Sequence, residues 1–120
     1  MADELRIWSY SRCSTCRKAL AWLEQHGLAF HVVDITEAPP SRDLLAQAAT
    51  HFGTRAPLFN TSGLSYRALG SAVVKAMTDD QALDALAADG KLIKRPFVAL
   101  PDGHFLVGFK QDQWSEAFRH

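Results

Sequence analysis

Leu5-Arg6-Ile7-Trp8-Ser9-Tyr10-Ser11-Arg12-Cys13-Ser14-Thr15-Cys16-Arg17-Lys18-Ala19-Leu20 (residues 5–20) is the stretch that decides the fold. Leu5 to Tyr10 sets Leu5, Ile7 and Ser9 on one face against Arg6, Trp8 and Tyr10 on the other, the two-residue period of a strand. A Ser-Arg-Cys-Ser turn ends it. From Thr15 to His26 the apolar positions Cys16, Ala19, Leu20 and Leu23 fall at helical spacing, and Gly27 supplies a stop. Leu28 to Ile35 is rich in β-branched and aromatic residues, and Ala38-Pro39-Pro40 closes it because prolines have no N–H for a sheet ladder. Strand, helix and strand therefore occupy the first 35 residues.

Working outward, Ser41 N-caps a helix with Leu44, Leu45 and Ala48 on one face and Phe52-Gly53 at its end. An irregular stretch, Thr54 to Gly63, leads to Leu64–Met77, where Leu69, Val73 and Ala76 keep helical intervals but Gly70 interrupts them. Thr78-Asp79-Asp80-Gln81 fits a capping box, and Ala82, Leu83, Leu86 and Gly90 complete that helix. Phe97 to Leu100 and His104 to Phe109 form a hairpin across Pro101-Asp102-Gly103, with Pro fixing φ and Gly accepting a positive φ. Trp114, Ala117 and Phe118 give a closing helix. The expected fold is α/β and thioredoxin-like: a mixed four-stranded sheet, with a helical insertion over about residues 41–91 between a strand-helix-strand half and a strand-strand-helix half. The first half should be a right-handed parallel unit to which the hairpin adds antiparallel partners. The whole chain, 1–120, reads as one domain.

Composition agrees with that class. Hydrophobic residues make up 48% and charged residues 22%, the balance of a globular protein rather than a disordered, collagenous or coiled-coil chain. Thirteen basic side chains against thirteen acidic ones give a net charge of zero, so no domain-wide field draws the molecule to nucleic acid or to an anionic membrane. No apolar run approaches about 18 residues, and the N-terminus lacks the pattern of a signal peptide. The expected location is the cytoplasm, with no direct nucleic-acid or membrane partner. Two cysteines are too few for a disulfide scaffold, and a reducing compartment makes their spacing a chemical matter.

Cys13 falls where the first strand ends and the first helix begins, so helix-start N–H groups and the macrodipole aim positive charge at its sulfur. Arg12 and Arg17 flank it, and nearby cations lower a thiol pKa further. Cys16 lies one helical turn on, within the separation a disulfide tolerates. The pair can cycle between dithiol and disulfide, Cys13 attacking an oxidised substrate and Cys16 resolving the adduct. A metal site made from Cys13, Cys16, His26 and His31 is rejected. A helix over 16–26 rises about 1.5 Å per residue and carries His26 roughly 15 Å away from Cys16. No metal and no bound cofactor are expected.

Lys94-Arg95-Pro96 stands directly before the third strand. In a thioredoxin-like sheet a proline opening the strand that faces the active cysteine is commonly cis and presents the preceding backbone to the substrate. The Arg95-Pro96 bond is therefore expected to be cis, with the Arg95 guanidinium beside Cys13 as a fork for an oxyanion, a carboxylate or the thiolate.

Tyr-Ser-Arg-Cys-Ser-Thr-Cys-Arg-Lys-Ala (10–19) and Leu-Ile-Lys-Arg-Pro (92–96) resemble the arsenate reductase (ArsC) family over about residues 5–118. That resemblance implies a thioredoxin-like fold with a helical insertion and a nucleophilic Cys after the first strand. Asn60-Thr61-Ser62-Gly63, Arg67, Leu69 and Val107-Gly108-Phe109 look most like the YffB subgroup, which implies a glutathione-dependent thiol reductase. Glutathione, glutaredoxin or thioredoxin would be the electron donor, and a small thiol or an oxyanion the substrate, arsenate included. Glutaredoxin-linked arsenate reductases hold the oxyanion with three arginines. This chain is similar at Arg95 and carries Phe59-Asn60 and Gly108 at the other two positions. The Cys-x-x-Cys is similar to that of Spx, which implies an alternative role as a redox-sensing regulator binding the RNA polymerase α subunit.

Overall fold

A computed structural model describes residues 4–119 of the chain. Its strands are β1 (Leu5–Ser9), β2 (Phe30–Asp34), β3 (Phe97–Ala99) and β4 (Phe105–Val107). Its helices are α1 (Ser14–Gln25), α2 (Arg42–Phe52), α3 (Leu64–Leu69), α4 (Ser71–Ala76), α5 (Asp79–Ala88) and α6 (Gln111–Ala117), with single 3-10 turns at Ala56–Leu58 and Gly90–Leu92. The residues gather into two compact units. One comprises the chain up to Val33 together with the chain from Arg95 on; the other is Asp34–Lys94.

The four strands form one sheet in the order β2-β1-β3-β4. β3 pairs antiparallel with β1, Trp8 opposite Phe97, and antiparallel with β4, Phe97 opposite Val107. This is the thioredoxin-like arrangement that the order of elements predicts. The hairpin closes where the turn residues require, with the Gly103 N–H donating to the Leu100 carbonyl at 3.1 Å. On one side of the sheet Leu5, Ile7 and Val98 pack with Ala19, Trp22 and Leu23 of α1 and Trp114 of α6. Trp22 and Trp114 meet edge to face, 5.7 Å between centroids, which satisfies the quadrupole preference of two rings while burying both. Simple alternation in β1 fails at Trp8. That ring, placed with Arg6 and Tyr10 on the polar face by period alone, is 5% exposed and edge-on to Phe97. The cause is that the opposite sheet face also carries apolar cover, here from Phe97 and Phe105.

The unit Asp34–Lys94 holds the helical insertion expected over 41–91 and begins and ends a few residues beyond it. Ser41 caps α2 by accepting from the Leu44 N–H, and the Thr78–Gln81 capping box forms with both reciprocal bonds. Leu45 and Ala48 of α2 are buried, as are Ala82, Leu83 and Leu86 of α5. The periodic stretch Leu64–Met77 is two short helices rather than one. Gly70 sits between them at φ 90°, a conformation that a residue with a side chain resists, so helical spacing continues across a break in the helix. Gly90 has a different reason: a Cβ there would overlap the Ile35 carbonyl oxygen.

Candidate active site

The site is built where β1 runs into α1. The Tyr10 carbonyl accepts the Cys13 N–H at 3.0 Å, closing the turn, and Cys13 takes extended dihedrals (φ −101°, ψ 113°) as the N-cap of α1. A helix start leaves backbone N–H groups without intrahelical acceptors, and here the cap is a sulfur. The Cys16 N–H donates to Cys13 Sγ at 3.2 Å. Cys13 is half-buried and Cys16 fully buried, and the two are not joined in a disulfide.

These surroundings drive the two thiols apart. Partial burial pushes the Cys13 thiol up. Hydrogen bonds from the Cys16 thiol and backbone, then the hydrogen bond and charge of Arg95, outweigh it, and the net shift is downward. Burial pushes Cys16 the other way. With the Cys13 hydrogen bond and charge adding to it, and contacts to the Tyr10 backbone and Ser9 hydroxyl opposing it, that thiol rises to about 11. The half-buried sulfur is the easier of the two to ionise, and its buried neighbour is the harder.

Arg95 and Pro96 are where the sequence puts them. The Arg95-Pro96 peptide is cis, Pro96 is buried at the start of β3, and its carbonyl accepts the Gly108 N–H at 2.9 Å. Arg95 is half-buried with its guanidinium acting on the Cys13 sulfur. Arg17 departs from the expectation that it serves the sulfur, while Arg12 stands exposed in the turn. Arg17 is exposed as well, and its Nη1 donates to the Ser11 carbonyl at 2.6 Å. Side chains in a first helical turn lean toward the N-terminus, which carries the Arg17 fork past the cysteine and onto the turn before it. That cation braces the loop. His26 is engaged at the end of α1, stacked on Trp22 with centroids 3.9 Å apart and Nδ1 2.8 Å from the Trp22 carbonyl oxygen. His31 is exposed on β2.

Two contributors carry no pattern by which spacing alone would find them. Ser9, the last residue of β1, is 6% exposed and bonds the Cys16 thiol. Tyr10 places its ring 5.2 Å from the Arg95 guanidinium carbon. Of the residues that the resemblance sets near the two further arginines, Phe59 is buried with its strand-like bridge to Ile93, Asn60 is half-buried, and Gly108 is buried at φ 69°.

Known proteins carry the same architecture. YusI, an uncharacterized protein of Bacillus subtilis (strain 168), is 43% identical over 115 residues, 93% of this chain and 96% of its own. The global transcriptional regulator Spx of Streptococcus pyogenes is 30% identical over 84% of this chain and 75% of its own. The crystal structure of a possible arsenate reductase from Streptococcus mutans UA159 superposes with a TM-score of 0.86 at 35% identity, covering 95% of this chain and 98% of its own. A YffB protein structure does so with a TM-score of 0.82 at 28% identity, covering 94% and 97%. The model of the ArsC family matches residues 8–117, which take in the cysteine turn, the insertion and the cis-proline strand alike, and the chain belongs to that family.

Proposed function

We propose that this ArsC-family chain is a thiol-disulfide oxidoreductase acting in the cytoplasm on a mixed disulfide of a small thiol, with glutathione the favoured partner. The observation that carries the reading is geometric: a half-buried Cys13 sulfur at the N-cap of α1 accepts the backbone N–H of a fully buried Cys16 at 3.2 Å, and the surroundings push the first thiol down and the second up. Cys13 thiolate attacks one sulfur of the substrate disulfide, forms a new S–S bond and releases the other sulfur as a thiolate. Cys16 then gives up its proton and attacks Cys13 Sγ. The substrate's remaining sulfur leaves as a thiolate, and a Cys13–Cys16 disulfide stays on the protein. Two electrons have passed to the substrate, and an external thiol or dithiol, such as glutathione, glutaredoxin or thioredoxin, returns them. Arg95 stabilises the attacking thiolate and offers its fork to an anionic substrate group, beside the backbone that Pro96 presents.

Arsenate is the second oxidised substrate to try, with one arginine rather than three available to hold it. Purified protein supplied with each donor in turn should reduce a glutathione mixed disulfide. Turnover of neither that disulfide nor arsenate would defeat the proposal. The Cys-x-x-Cys and the similarity to Spx favour one other reading, a redox switch that binds the RNA polymerase α subunit. Retention of that subunit in oxidising but not reducing buffer would support it, and equal retention in both would remove it.

A further inference from the structure

Resting on the reading of Cys13 as nucleophile, we infer that Tyr10 is a positioning residue: its aromatic face holds the Arg95 guanidinium in place beside the Cys13 sulfur. The Arg95 guanidinium carbon lies 5.2 Å from the centroid of the Tyr10 ring, within the range of a cation–π contact. Tyr10 is also the residue whose carbonyl closes the turn on the Cys13 N–H at 3.0 Å, and its backbone bonds the Cys16 thiol. A single residue therefore sets the sulfur's backbone and the cation's face together.

The choice of a ring has a chemical consequence. An arginine side chain has many rotamers, and leaving it unrestrained would spread its charge over space away from the sulfur. A carboxylate could restrain it, but would offset most of its charge at the thiolate. An aromatic quadrupole restrains the cation and leaves its full positive charge to act on Cys13. Among the described residues the charged and titratable groups bearing on Cys13 are Arg95 and Cys16, so loss of the ring should register chiefly through Arg95.

Thiolate absorbance against pH, together with the rate of iodoacetamide alkylation at neutral pH, reads the effect at Cys13 without requiring turnover. Tyr10→Leu should raise the Cys13 pKa and slow alkylation about two- to fivefold, the size of a partly exposed cation–π contact. Tyr10→Phe, which keeps the ring, should leave both unchanged. In an Arg95→Ala background Tyr10→Leu should have no further effect. Pentafluorophenylalanine at position 10 keeps the shape and reverses the quadrupole, so it should reproduce the Tyr10→Leu shift even where the leucine variant folds poorly. An unshifted titration with the fluorinated ring, or an equal shift with and without Arg95, would overturn the assignment. Absence of turnover in the wild-type protein would strike the proposed reaction and leave the Tyr10 titrations to decide this inference on their own.

Discussion

Cys16 steadies the Cys13 sulfur through a backbone N–H 3.2 Å away, while its own thiol, fully buried, is the harder of the two to ionise. The relation assigns an order to the chemistry. A helix-start N–H can stabilise only the sulfur at the N-cap, and a side chain one turn inside the helix faces the core. Swapping the roles would require a fully buried thiolate without the charge of Arg95 that acts on Cys13.

Alkylation should follow that asymmetry. At neutral pH iodoacetamide should modify native protein once, at Cys13, and Cys16 only after denaturation, as read by peptide mass spectrometry. Modification of Cys16 first in the native state would contradict the geometry.

Cys16→Ser should separate attack from resolution. Serine keeps the backbone N–H that donates to Cys13 Sγ, so Cys13 should still attack, but the mixed disulfide has no internal thiol to release it. The glutathione adduct on Cys13 should accumulate, visible by intact mass, and Cys13→Ser should form none. An adduct that clears at the wild-type rate would mean that an external thiol resolves it.

The legible part of this site was local. The Cys13 turn and Cys16 one turn on lie within one short segment whose backbone preferences fix their geometry, the capping box at Thr78 is likewise complete within four residues, and the cis Arg95-Pro96 bond was legible from the fold that the order of elements implies. What was not legible depends on two segments meeting. Trp8 follows the strand period onto the polar face, and only its pairing opposite Phe97 buries it. Charge adjacency in sequence put Arg17 at the sulfur, whereas the backward lean of helical side chains puts it on the Ser11 carbonyl. Tyr10 and Arg95 are 85 residues apart, and their contact exists because β1 and β3 are neighbours.

The Asp34–Lys94 unit offers two tests of stability. Gly90→Ala should cost about 3 kcal/mol, because the new Cβ overlaps backbone oxygen of Ile35 that cannot rotate aside. Thr78→Ala should cost about 1 kcal/mol by removing the oxygen that accepts the Gln81 N–H, and Thr78→Ser should recover most of it. Urea midpoints measure both. A glycine variant as stable as wild type would show that the Ile35 and Gly90 backbones do not approach so closely in solution.

The raised Cys16 thiol predicts how stability changes in alkali. An unfolded chain releases that proton near the ordinary value of 9.0, the folded chain at about 11. Between those values the folded state binds more protons than the unfolded one, so stability falls as pH rises. The contribution is fully present below about pH 9, is lost through about pH 11, and is on the order of 3 kcal/mol. Cys13 has the opposite sign: its lowered value gives a contribution present above its unfolded pKa and lost as pH falls through the folded one. Urea unfolding of wild type and Cys16→Ala across this range, compared as a difference, cancels the lysines and tyrosines common to both. The wild type should lose its advantage over the alanine variant as pH climbs from about 9 to 11. Two curves that stay parallel through that window would show that Cys16 ionises in the folded protein as readily as in the unfolded chain, and with it would go the argument that burial reserves this thiol for the second step.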